Sequence, residues 1–131
     1  MKSKYVYPAI FEKESCGYSV VFPDLNIATS GSDLPEAIDM ARDAMCLILY
    51  DMEENRQTIP EASAVTEVTT NGTQFVSLVE CDTVEYRKFF NNTAVKKTLS
   101  IPAWLNTMAE REGINFSAVL QSALKETLGI A

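Results

Sequence analysis

The last forty or so residues of the chain hold more apolar surface than a segment of that size can bury by itself, and this limits what they can fold into. Val95–Ile101 alternates like a short strand, with Leu99 and Ile101 on one face and Lys96, Thr98 and Ser100 on the other. Pro102 cannot donate to a sheet ladder but suits the start of a helix, which the pattern predicts from Ala103 to about Glu112. Gly113 then supplies a left-handed cap, Asn115 can cap a second helix from Phe116 to about Leu128, and Gly129 stops it. Trp104, Leu105, Met108 and Ala109 stripe the first helix. Phe116, Val119, Leu120, Ala123, Leu124 and Leu128 stripe the second. A module of this length has too little volume to enclose both stripes, so a second copy is the expected remedy.

Two copies with their strands paired antiparallel would bury Leu99 and Ile101 against both helix pairs, with Trp104, Leu105, Val119 and Leu120 completing the dimer core. The opposite face would carry Lys96, Thr98 and Ser100 twice over on a two-stranded ribbon. A ribbon of this width fits the major groove of B-DNA, where such side chains meet base edges. This order of strand, proline, helix, glycine and capped helix resembles the ribbon-helix-helix repressors of the MetJ/Arc class. In that class the start of the second helix grips a backbone phosphate. The resemblance assigns this role to the amides near Phe116 and Ser117, with Asn115 and the Ser117 hydroxyl assisting. Lys97 shares the parity of Leu99, so it is assigned to backbone phosphate or solvent. The plain alternative for Lys96 and Lys97 is a solvated strand edge.

The charge distribution separates this segment from the rest. The net charge of −7 gives no general reason to expect nucleic-acid binding. Residues 1–92, however, carry 7 Lys/Arg against 15 Asp/Glu, whereas 93–131 carry 4 against 3, so the acidity belongs to the first part. That part predicts strands at Lys4–Lys13, Gly17–Phe22, Asn26–Gly31 and Gln74–Glu80, with Pro8 at an edge or bulge. A helix capped by Ser32 or Asp33, with Pro35 in its first turn, should lay Leu34, Ala37, Ile38, Ala41, Met45, Ile48 and Leu49 on the sheet. Asp39, Arg42, Asp43 and Glu53 should turn to water. Thr83–Phe90 reads as a short helix. The expected fold class is α+β, a small antiparallel sheet with helices in the order β-β-β-α-β-α, followed by the strand-helix-helix module.

Several function classes drop out. The chain has no histidine, which removes Ser-His-Asp and Cys-His nucleophile activation and the commonest transition-metal ligand. Cys16, Cys46 and Cys81 are far apart, odd in number and without Cys-x-x-Cys spacing, so buried free thiols are expected rather than disulfides or zinc. No apolar run reaches the length of a membrane span and no signal core opens the chain, so a cytoplasmic protein without a membrane partner is expected. Carboxylates with a hard metal such as Mg²⁺, or lysine chemistry, would remain for catalysis, and Glu12, Asp24 and Glu80 are the carboxylate candidates near strands. None of them stands amid the apolar run of the first strand, and no enzyme, metal or cofactor is expected.

Tyr7–Phe11, Gly17–Leu25, Ala28–Gly31, Glu36-Ala37 and Pro60-Glu61-Ala62-Ser63 together resemble the HicB family of antitoxins, with Asn26-Ile27-Ala28 departing from the family's usual turn. The resemblance implies a partial RNase H-like domain at 1–92 and a ribbon-helix-helix domain for dimerisation and operator binding at 93–131. It further implies neutralisation of a HicA-like mRNA-cleaving toxin by direct binding and repression of the protein's own bacterial operon. A homodimer is expected, with assembly into tetramers left open. The acid excess of 1–92 suits a basic partner. The second reading is a ribbon-helix-helix repressor whose first domain senses a small ligand.

Overall fold

The computed structural model describes residues 2–130, which divide into two compact units, 2–92 and 93–130. In the first unit, β1 (Lys4–Glu14), β2 (Gly17–Phe22), β3 (Ile27–Gly31) and β4 (Gln74–Asp82) form an antiparallel sheet in the order β3-β2-β1-β4. Register follows the hydrophobic alternation: Tyr5 faces Cys81, Tyr7 faces Val79 and Phe11 faces both Phe75 and Val20. These residues, with Ala9 and Phe22, line one sheet face, and α1 (Leu34–Glu54) covers it with Ala37, Ala41, Met45 and Leu49. Phe11 is 1 % exposed, and its ring stacks on Phe75 with centroids 5.3 Å apart.

The start of α1 follows from local chemistry. Asp33 caps it by accepting the Glu36 N–H at 2.9 Å, Pro35 occupies the first turn, and the Ser32 hydroxyl donates to the Glu36 carboxylate. A close approach fixes its position over β3. A methyl group on Gly31 would come within 2.4 Å of the Ala37 nitrogen and 2.6 Å of its Cα. Because both neighbours are backbone, Gly31→Ala is expected to destabilise the first unit by about 1–3 kcal/mol, read as a lower denaturation midpoint with an unchanged slope.

The helix face differs from its sequence pattern in two places. Cys46 is buried and Ile38 is not; Cys46 meets Cys81 of β4, and the two thiols share a hydrogen bond. That bond and burial push the Cys81 thiol well above its ordinary value, which makes it a poor nucleophile. Cys16 lies in the exposed β1–β2 turn, so only two of the three thiols are buried.

Glu53 does not face water either. It accepts hydrogen bonds from the Tyr5 and Thr83 hydroxyls, each at 3.0 Å, and pairs with Arg87 at 3.2 Å. Arg87 also bonds Glu54 and lies 4.7 Å from the Tyr50 ring centroid. Burial, with the Glu53 carboxylate beside it, pushes the Tyr5 phenol up to about 12. This network ties β1 and α1 to α2 (Thr83–Phe90), which Asp82 caps by accepting from Val84 and Glu85.

Pro8 lies in an inner strand. Pairing of β1 with β2 starts only at Ile10, however, so one flank of Pro8 is a local edge where a missing N–H costs no ladder bond.

In the second unit, α3 (Ala103–Arg111) and α4 (Phe116–Leu128) form as expected, with Pro102 just before α3. Val95–Ile101 does not form a strand in the single chain. A strand needs a ladder partner, and among the described residues no segment pairs with this one.

Candidate functional site

Both helices of the second unit end in the same turn. Gly113 (φ 67°) and Gly129 (φ 72°) are left-handed. The Gly113 N–H bonds the Glu110 carbonyl and the Ile114 N–H bonds Ala109; at the other end Gly129 bonds Glu126 and Ile130 bonds Lys125. The start of α4 is set by Asn115, whose side-chain oxygen accepts the Ala118 N–H at 3.0 Å. The amides of Phe116 and Ser117 open that helix, where no carbonyl lies a turn earlier to receive them.

Among the described residues, neither α3 nor α4 contains a buried side chain. Trp104 is 65 % exposed, and Leu99, Ile101, Leu105, Met108, Phe116, Val119, Leu124 and Leu128 are all exposed as well, with Leu120 half-buried. The apolar stripes are present and uncovered in one chain. Lys96, Lys97, Thr98 and Ser100 are exposed, in the segment that carries no regular structure. The fold therefore groups Asn115, Phe116 and Ser117 at one helix start, whereas the four polar residues of 96–100 share only a segment of chain.

In the first unit, the structure joins two stretches that sequence alone could only note separately. Asp24, after β2, accepts the Ser63 N–H at 3.0 Å and the Ser63 hydroxyl at 2.6 Å, and the Tyr7 hydroxyl donates to the Pro60 carbonyl. Pro60–Ser63 is thereby fastened across the sheet end. Asn26 adopts φ 53°, a left-handed value asparagine tolerates, and its N–H bonds the Phe22 carbonyl at 2.9 Å. Glu12 accepts from Thr73 at 3.1 Å and Gln74 at 3.3 Å. Asp24 is occupied by Ser63. Among the described residues no group of three or more His, Cys, Asp or Glu is disposed to hold a metal ion, and no helix is long and apolar enough to cross a membrane.

Comparison with known proteins places this architecture. Residues 7–123 match the family described as HicB-like antitoxin of bacterial toxin-antitoxin system. Antitoxin HicB 2 of Photorhabdus laumondii is 35 % identical over 79 residues, covering 60 % of this chain and 52 % of that protein, so the match spans about half of the relative's length. Among solved structures, a toxin–antitoxin complex from Streptococcus pneumoniae superposes with a TM-score of 0.60 at 27 % identity, covering 95 % of this chain and 99 % of that one. The Burkholderia pseudomallei antitoxin HicB shares the fold at 19 % identity, with a TM-score of 0.55 and coverage of 95 % and 98 %. The α+β fold with its small antiparallel sheet and four helices, and the family match across most of its length, mean that this chain belongs to the HicB-like antitoxins of bacterial toxin–antitoxin systems.

Proposed function

We propose that the protein neutralises a HicA-like, mRNA-cleaving toxin by direct binding through residues 1–92, and represses its own operon as a ribbon-helix-helix dimer through residues 93–131. The observation that carries the second half is the lack of any buried side chain in α3 and α4 beside an unpaired alternating segment at Val95–Ile101. A second copy supplies what both lack: a ladder partner for the segment and a cover for the stripes. The first half is supported by family membership and by an acidic unit with a core of its own, which suits a basic partner.

In this dimer, Lys96, Thr98 and Ser100 read base edges, Lys97 meets phosphate, and the amides of Phe116 and Ser117 clamp the backbone. Asn115 fixes the helix start that presents them. No cofactor or catalytic group is assigned.

Growth of bacteria expressing the cognate toxin, with a reporter fused to the operon promoter, tests both halves. Full-length protein is expected to restore growth and silence the reporter; residues 1–92 are expected to restore growth alone. The triple change Lys96→Ala, Thr98→Ala and Ser100→Ala should lower operator affinity by about 100-fold or more, since each good base contact contributes roughly 1–3 kcal/mol. The same variant should remain dimeric and neutralise the toxin as before. Operator affinity that survived the triple change would refute the assignment of this face, and failure of residues 1–92 to rescue growth would refute the placement of neutralisation.

A further inference from the structure

The first unit leaves an apolar groove open beside its outer strand. β3 pairs with β2 on one side only, and α1 crosses above it. Between them Ile27, Ala28, Ala44, Leu47, Ile48 and Asp51 line a groove of about 490 Å³. Leu47 is 58 % exposed at its mouth, and Met40 extends the same exposed stripe two turns earlier on α1.

The charge along the helix wall of this groove is predominantly acidic. α1 carries Glu36, Asp39, Asp43, Asp51, Glu53 and Glu54 against a single cation, Arg42. Glu53 and Glu54 are engaged by Arg87, and Glu36 by Ser32. Asp39, Asp43 and Asp51 are exposed and enter no ion pair among the described residues; Asp51 accepts only from the Asn55 amide. The opposite wall, β3, contains no charged residue. An exposed leucine flanked by unpaired carboxylates fits a partner that brings an apolar side chain surrounded by lysine or arginine.

We propose that this groove between α1 and β3 is where the first unit holds its toxin. An apolar anchor of a basic protein seats against Leu47, Ile27 and Ile48, and neighbouring cations meet Asp43 and Asp51. This inference rests on the proposed neutralisation by residues 1–92 and assigns that binding to one face. A second copy of the chain is the poorer occupant, because it would bring its own row of carboxylates against this one in a unit with 15 acidic and 7 basic residues.

Affinity of the full-length protein for purified cognate toxin, measured at low and high salt, tests the proposal. Leu47→Arg is expected to weaken binding at least 10-fold. The double change Asp43→Asn and Asp51→Asn should slow association several-fold at low salt and flatten its salt dependence. Leu78→Arg, at an exposed position on the sheet face opposite α1, should bind as wild type. Melting curves matching wild type show that the variants fold, which the exposure of all four side chains favours. Normal affinity in a folded Leu47→Arg, a loss confined to Leu78→Arg, or a change in oligomeric mass instead of toxin affinity would each overturn the groove assignment while leaving neutralisation standing. If wild-type protein bound no toxin, the parent reading would fail as well.

Discussion

Leu99→Asp is expected to leave the protein as a single chain in sedimentation, and to remove operator binding by more than about 1,000-fold. The magnitude follows from where this residue would lie in the proposed ribbon. Leu99 is 60 % exposed in one chain, and its parity places it with Ile101 on the strand face that two copies bury. A carboxylate there appears twice across the two-fold axis without a partner, and each buried unpaired charge costs several kcal/mol. The loss compounds, because a single chain offers neither a paired ribbon to the major groove nor two half-sites to the operator. Leu99→Val keeps the apolar face and should dimerise and bind DNA nearly as wild type. The first unit, with a separate core, should melt unchanged in both variants. A dimeric Leu99→Asp would mean that the stripes of α3 and α4 find cover without this strand.

How far the sequence could be read depended on whether each element answered to its neighbours along the chain or to something beyond it. Asp33, Pro35 and Glu36 specify the start of α1 within four residues, so cap and helix are both legible there. Gly113 and Gly129 likewise announce their turns, since the left-handed positions favour glycine. The pattern of α1 turns Glu53 to water because a helical wheel knows only its own helix; the groups that draw it inward, Tyr5, Thr83 and Arg87, come from β1 and α2. Cys46 is buried as its thiol chemistry predicts, but its place on the covered face of α1 is set from outside the helix, by Cys81 on β4. The contact between Asp24 and Ser63 spans 39 positions, and no local pattern encodes it. Val95–Ile101 marks the limit from the other side. Its alternation is plain in sequence, but a strand exists only when paired, and none of the described residues pairs with it. The candidate DNA-facing residues are thus legible as a pattern, while their assembly into one surface belongs to the proposed dimer.

Phe11→Ala should separate the two proposed activities in the opposite direction. Phe11 is 1 % exposed at the centre of the core, between Phe75 and Val20 in the sheet register and under α1. Truncation removes a fully buried ring and its stacking on Phe75, and the strands cannot close the space without breaking register. A loss of about 3–5 kcal/mol is expected, a large share of the roughly 5–15 kcal/mol that stabilises a domain. The first unit should then unfold near growth temperature, exposing an acidic chain that no longer holds the toxin. None of the dimer core assigned to residues 93–131 depends on Phe11, so operator binding by the variant should stay within a few-fold of wild type in the cold. Thermal melts, growth rescue and operator affinity measured on one preparation would show this division. Parallel loss of all three would mean that the second unit needs the first in order to fold, and the two units would then have to be treated as one cooperative structure.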